Sequence, residues 1–413
     1  FWLKTALLKA VNIKHPVTFT TTMPAKDSTR VFDVVVYGAS GFTGFLTAKY
    51  LAEVAPGLGI NWAIGGRNRE KLLGVAERLG NPKDLGVIVA DSSDGKALRE
   101  MTRQCVVVAS TVGPYTLYGA ELVAACVDTG TNYVDLTGEY NFVRQMIDLH
   151  HAKAQAKGIN IVHCCGFDCV PVDLGAWMAT ESLPVPAVSV RALCTKMNGG
   201  FSGGSLDSAA EISKFGKSED NLEKARDPYV LAPNVADSLR VDNRWSDKKS
   251  IGYDADFGTL SVPYFMAMID NRLVRRSLAL RSQAVSYDES MSLGALARFV
   301  GFAAWHLPSF CGSGRPKAGE GPSESVQRDG SFEFEILARG AGGEECRVTA
   351  SGTGDPGYGA TCVILAECAL CLALDARSEG MPSAGGVLTP STAMAKPLLR
   401  RLQQTGRFAF SKL

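Results

Sequence analysis

Apolar residues in the first 165 positions fall into short β-branched runs, separated by stretches in which they recur at helical spacing. Phe32 to Tyr37 reads as a first strand, and a helix over Phe45 to Glu53 follows it after a glycine-rich turn. Trp62 to Gly66 reads as the second strand, Leu85 to Ala90 as the third and Val106 to Val112 as the fourth, and the sixth ends at His163. Strand and helix in steady alternation predict a doubly wound parallel sheet of Rossmann type. A joint rich in proline, Leu183-Pro184-Val185-Pro186, then precedes a new strand from Ala187 to Thr195. Residues 311–330, rich in Gly, Pro and Ser, read as a surface loop. Beyond them, Phe332 to Leu337 and Cys346 to Ser351 form a hairpin turning at Gly340 to Gly343.

With 413 residues, 46% of them hydrophobic, the chain can build two core-bearing lobes, since single cores rarely grow past roughly 250 residues. A net charge of +1 and scattered Lys and Arg supply no single-signed field, so nucleic acid is not an expected partner. Most of the eleven cysteines, such as Cys126, Cys194 and Cys362, lie in apolar runs where Cys packs as a small hydrophobe. Cys368 and Cys371 have redox-motif spacing but sit in a helix-like apolar run, and Cys164, Cys165 and Cys169 lack a second ligand pair. No metal is expected.

The clearest chemical signal is Gly38-Ala39-Ser40-Gly41-Phe42-Thr43-Gly44, set between a strand and a helix. Gly38 permits the tight turn, Gly41 lets the backbone approach a pyrophosphate, and Gly44 lets the helix pack close to the strand. Amides at the helix start then face the phosphates. An NAD enzyme places an acid at the end of its second strand to hold the ribose hydroxyls. Here that strand runs into Arg67-Asn68-Arg69, where a guanidinium can bind a 2'-phosphate, so NADP is the expected cofactor. Asp91, after the third strand, lies on the adenine side; Thr111 and Gly113, after the fourth, lie toward the nicotinamide.

A family resemblance becomes specific at Gly113-Pro114-Tyr115, Tyr118-Gly119, Tyr133-Val134-Asp135 and Gly138-Glu139. It continues through Gly166-Phe167-Asp168, Asp173-Leu174-Gly175, Gly203-Gly204-Ser205, Asp355-Pro356-Gly357-Tyr358 and Gly385-Gly386-Val387-Leu388-Thr389-Pro390. In these landmarks the chain resembles the saccharopine dehydrogenase-like oxidoreductases from about Val31 to Phe410. The resemblance implies a Rossmann domain, a second α/β (α+β) domain and C-terminal helices that return to the first. On that basis we expect a poorly ordered extension at 1–30, an NADP-binding domain at 31–182, a substrate or oligomerisation domain at 183–355, and returning helices at 356–413. The resemblance also implies NADP-linked reduction, with relatives that form saccharopine, relatives that act as trans-acting enoyl reductases in lipid and glycolipid synthesis, and animal relatives found with lipid droplets. A small-molecule, lipid-like or acyl substrate is therefore expected. A non-catalytic NADP-binding scaffold is the alternative, and lysine metabolism ranks last.

Reduction of a C=C, C=O or C=N bond needs a proton donor beside the hydride source. Tyr115, Tyr118 and Asp168 are the candidates, against readings in which Tyr115 stacks, Asp168 caps the helix near Pro171 and His163 is a satisfied core residue. Adjacent Arg275 and Arg276, read as strand neighbours, would point to opposite faces. Residues Gly199 to Ser205 suit a substrate loop or a plain turn. Between Met291 and Cys311, the apolar run Phe299 to Trp305 is too short to span a bilayer, which leaves peripheral membrane contact, a pocket cover or a homodimer surface. Residues 1–26 carry no acid and resemble a weak presequence, while Met23 is an alternative start. Ser411-Lys412-Leu413 has the form of the tripeptide read by the peroxisomal import receptor, so a peroxisome or glycosome is the expected location, with cytoplasm or lipid droplet as alternatives.

Overall fold

The computed structural model describes residues 30–199, 224, 226–241, 250–306, 321–375, 381 and 385–413. The first lobe alternates β1 (Phe32–Tyr37), α1 (Phe42–Leu58), β2 (Trp62–Gly66), α2 (Arg69–Arg78), β3 (Leu85–Val89), α3 (Gly95–Arg103) and β4 (Cys105–Ser110). It continues through α4 (Tyr115–Tyr118), α5 (Ala120–Thr129), β5 (Asn132–Asp135), α6 (Tyr140–Ala156), β6 (Asn160–Val162) and α7 (Val170–Glu181). Helices cover both faces of the sheet, so an interior strand such as β1 carries an unbroken apolar run. Val34, Val35 and Val36 are all fully buried. Local signals set the helix ends: Asn68 accepts from the Lys71 amide, Asp94 from the amides of Lys96 and Ala97, and α5 stops at Gly130 with φ 73°.

The second lobe holds β7 (Ala187–Asn198), β8 (Gly252–Asp254), β9 (Thr259–Pro263), α8 (Ala267–Leu280), β10 (Ser286–Ser292), α9 (Leu293–His306), α10 (Glu324–Asp329), β11 (Ser331–Gly340) and β12 (Glu345–Thr353). The last elements are α11 (Thr361–Leu374), β13 (Gly386–Leu388), α12 (Pro390–Gln404) and β14 (Phe408–Lys412). Among the described residues, two seven-stranded sheets result. The first is all parallel in the order β13-β6-β5-β4-β1-β2-β3, and the second runs β14-β12-β11-β7-β10-β9-β8. Helix α7 lies against the second sheet so closely that a Cβ at Gly175 would meet Ile336 at 2.7 Å.

The final 60 residues differ from the expectation of helices alone. Strand β13 extends the first sheet beside β6, and β14 forms an edge of the second beside β12. Three residues of β13 are too few to show a period, and its role depends on the edge that β6 offers. A short helix, α10, also stands inside the stretch read as loop, capped by Ser323. Helix α11 is apolar on nearly every face, as a helix enclosed on all sides tends to be, and its one carboxylate, Glu367, is paired with Tyr50 and Arg401. Pro356–Leu374, with a mean hydropathy of 1.8, has the length and composition of a membrane span, yet 78% of it is buried against α1, β1, β4, β5 and α12.

Candidate functional site

The turn between β1 and α1 is built as a phosphate cradle. A Cβ at Gly44 would lie 2.2 Å from the Gly38 carbonyl oxygen, and one at Gly38 would lie 2.7 Å from Thr111 Oγ1 and Val112 Cγ2. Gly38 also has φ 93°, open to glycine at no strain. Gly41 begins α1 without a side-chain cap, and no acid occupies the helix's first turn. The amides of Phe42, Thr43 and Gly44 therefore carry the positive end of a 17-residue helix with no side-chain acceptor among the described residues, which fits a pyrophosphate. Ser40 and Gly41 are exposed while Ala39 is buried beneath them.

Arg67 stands exposed at the end of β2, and Asp91 lies half-buried after β3, close enough for the Arg67 charge to favour its ionised form. Asp91 is held first by the Ser93 amide and hydroxyl, at 2.9 and 2.8 Å, which lower its pKa. Asn68 is committed to capping α2, so Arg67 is the group left to meet a 2'-phosphate. Thr111, at the end of β4, donates from its amide and hydroxyl to the Tyr37 carbonyl, at 2.9 and 3.1 Å. Its hydroxyl also lies against the glycine turn, where a Cβ at Gly38 or Gly44 would meet it at 2.7 Å, and Gly113 is exposed beyond it.

The candidate proton donors separate clearly. Tyr115 is buried and its hydroxyl donates to the Ser110 carbonyl at 3.0 Å, so it faces the core. Tyr118 is 47% exposed on the one-turn helix α4. That turn is pinned by Glu139, which the sequence marked only as a landmark of the resemblance, with no role: its carboxylate accepts from the Tyr115 and Thr116 amides at 2.9 and 2.8 Å and from the Thr116 hydroxyl at 2.6 Å. Asp168 does not cap α7, whose N-terminal position is Cys169. It is half-buried in the loop after β6, and desolvation pushes its pKa up to about 6. The Asp168 charge is felt by the fully buried Asp270, whose pKa burial raises well above the usual carboxylate range and whose Oδ1 accepts from the Cys169 thiol at 3.1 Å.

His163 is paired through Nδ1 with Asp135 at 2.6 Å, deep in the core, while its Nε2 has no hydrogen-bond partner among the described residues. Arg275 and Arg276 are helical, not strand neighbours: both sit on α8, buried, with Arg275 donating to the Tyr287 carbonyl and Arg276 to those of Leu231 and Val387. Their role is to tie segments together, and the strand reading fails here because two adjacent charges show no period of their own. Of the glycine-rich stretch from Gly199 to Ser205, only Gly199 is among the described residues. Ser411 and Lys412 belong to β14, and the Leu413 amide donates to the Arg347 carbonyl at 2.9 Å, with all three side chains exposed. The ten described cysteines are buried thiols.

Comparison with known proteins accords with this geometry. The model of the saccharopine dehydrogenase NADP binding domain matches residues 34–162, from β1 to the end of β6. A Mycobacterium tuberculosis (strain ATCC 25618 / H37Rv) protein, provisionally named a trans-acting enoyl reductase, is 36% identical over 408 residues, covering 91% of this chain and 96% of its own. The trans-acting enoyl reductase of Mycobacterium bovis (strain BCG / Pasteur 1173P2) is 35% identical over 414 residues, covering 91% and 97%. Among solved structures, the apo histidine-tagged saccharopine dehydrogenase (L-Glu forming) from Saccharomyces cerevisiae aligns with a TM-score of 0.52 at 13% identity, over 92% of this chain and all of that one, a likeness of fold. With an NADP-binding turn in place and relatives matched along nearly their whole length, the chain belongs to the saccharopine dehydrogenase-like oxidoreductases and is an NADP(H)-dependent enzyme.

Proposed function

We propose that the protein reduces a C=C, C=O or C=N bond of an acyl or lipid-linked substrate, with an α,β-unsaturated acyl compound as the first substrate to test. The observation that carries this reading is the match, along 91% of the chain, to proteins named trans-acting enoyl reductases. NADPH, when bound, supplies the hydride. The protein's share is to hold and to protonate. The amides of Phe42, Thr43 and Gly44 hold the pyrophosphate and Arg67 the 2'-phosphate. Asp168, with its pKa pushed up to about 6, retains near neutral pH a protonated fraction that an ordinary aspartate would not, and would deliver that proton to the carbon or heteroatom left electron-rich by hydride addition.

Purified protein mixed with NADPH and a panel of thioesters, matched in chain length and differing in 2-enoyl or 3-keto groups, tests this reading. NADPH consumption equal to the saturated or hydroxy product formed supports it. Tight NADPH binding without turnover on any member would replace it with the scaffold alternative. As part of the same proposal, Ser411-Lys412-Leu413 directs import into a peroxisome-type organelle. Because the Leu413 amide is bonded to Arg347, a receptor must first lift the end of β14. Unchanged import of a variant lacking Leu413 would remove that part.

A further inference from the structure

The segment that leads into α11 crosses from the second lobe onto the phosphate cradle. Asp355 organises it: its carboxylate accepts from the Tyr358 amide at 2.9 Å, and its own amide donates to the Gln327 carbonyl at 2.9 Å. Glycines make the crossing tight, since a Cβ at Gly330 would lie 2.3 Å from Asp355 Cα and one at Gly359 would lie 2.5 Å from the Gln327 oxygen. From this frame the Tyr358 ring meets Phe42 edge-on, with ring centroids 5.3 Å apart and planes at 75°. One helical turn later, Cys362 donates its thiol hydrogen to the Thr43 carbonyl at 3.4 Å. Gly321 also packs tightly on Phe42: an added Cβ there would lie 2.3 Å from the ring. Phe42 and Thr43 are the residues whose amides begin α1.

We propose that Tyr358 is a positioning residue for NADP, acting through Phe42, so that the phosphate-binding amides of the first lobe are aimed by a contact from outside it. An isolated glycine turn has freedom to rock with the helix start. The ring, packed by both Tyr358 and Gly321, removes that freedom before the cofactor arrives, and a preorganised site binds more tightly than one ordered on binding. The edge-to-face geometry contributes attraction beyond mere burial. Tyr358 itself is buried, and its contact with the start of α1 is made through the Phe42 ring, so its effect on affinity passes through that ring.

The test is NADPH affinity, read by titration of the cofactor's fluorescence on the full-length protein, with melting temperature recorded for each variant. Tyr358→Leu is expected to raise the Kd about fivefold, while Tyr358→Phe, which keeps the ring, stays within about twofold of wild type. In a Phe42→Leu background the Tyr358→Leu effect should largely vanish, because the contact it removes is already gone. Gly321→Ala presses on the same ring from a half-buried position ahead of α10 and is expected to weaken NADPH binding with little change in melting temperature, which keeps the idea testable should Tyr358→Leu fold poorly. A folded Tyr358→Leu or Gly321→Ala protein with wild-type Kd would overturn the proposal, as would full additivity in the Phe42→Leu background. None of these readouts requires a substrate, so they stand or fall independently of the reduction proposed above.

Discussion

Replacing Asp168 with Asn removes the proposed donor's proton while keeping its size. Burial lifts the Asp168 pKa from 3.8 to about 6. About nine-tenths of the carboxyl is then protonated at pH 5 and about a tenth at pH 7, since one pH unit shifts the ratio tenfold. If the protonated form is the active one, kcat/KM is highest below pH 6 and falls toward tenfold per unit above it. Asp270, Cys164, Cys169 and Tyr264 surround the group and are all pushed by burial toward their neutral forms, so the Asp168 step should dominate this range. The Asp168→Asn variant should lose about 10²- to 10⁴-fold in kcat, the usual worth of a positioned acid. The same shift sets a stability effect of the same direction in pH. Between pH 3.8 and about 6 the folded protein binds a proton that the unfolded chain has released, so this group's contribution to stability declines as pH rises through that window. The Asn variant, freed of that cost, should melt no lower than wild type at pH 7. Steady-state rates from pH 5 to 8 at saturating NADPH, with paired melting curves, decide the matter. A flat wild-type profile, or a variant within about threefold of wild-type kcat, would refute the reasoning.

Three other outcomes follow from the same structure. Arg67→Asp should weaken NADPH binding by roughly 10- to 100-fold while sparing NADH, as expected when a charged hydrogen-bond partner of a phosphate is removed, and competitive titration of the two nucleotides measures it. Gly44→Ala should cost about 1–3 kcal/mol in urea unfolding and abolish most NADPH affinity, because its Cβ would meet a backbone oxygen at 2.2 Å and α1 must move away from β1. Arg401→Ala strips the partner from the buried carboxylates of Glu367, 3.3 Å from its Nη1, and Asp375, and should cost about 3–5 kcal/mol at pH 8. That deficit should shrink toward pH 5, where Glu367, whose pKa burial already raises, can take up a proton. A deficit equal at both values would mean that packing, not charge, holds α12 in place.

The first lobe was legible in the residues themselves. Its strands are buried on both faces and read as unbroken β-branched runs, and its glycines sit where backbone must pass close to backbone. Gly38 and Gly44 announce a cradle because only a residue without Cβ fits there, a constraint contained within seven consecutive positions. The family, the NADP chemistry and the alternation of strand and helix follow from such local rules. Polar residues whose meaning depends on distant partners were not legible. Glu139 pins α4 across 23 or 24 positions, and Arg276 ties α8 to Leu231 and Val387. Tyr115 and Asp168 looked equivalent as proton donors until the fold buried one hydroxyl against Ser110 and left the other's carboxyl half-open beside Asp270. Likewise β13 is too short to declare itself, and both β13 and β14 become strands because β6 and β12, far away in the chain, present unpaired edges to them. Local sequence determines what the backbone can do within a turn or two; which groups lose their water, and so change their chemistry, is decided only when segments far apart in the chain are packed together.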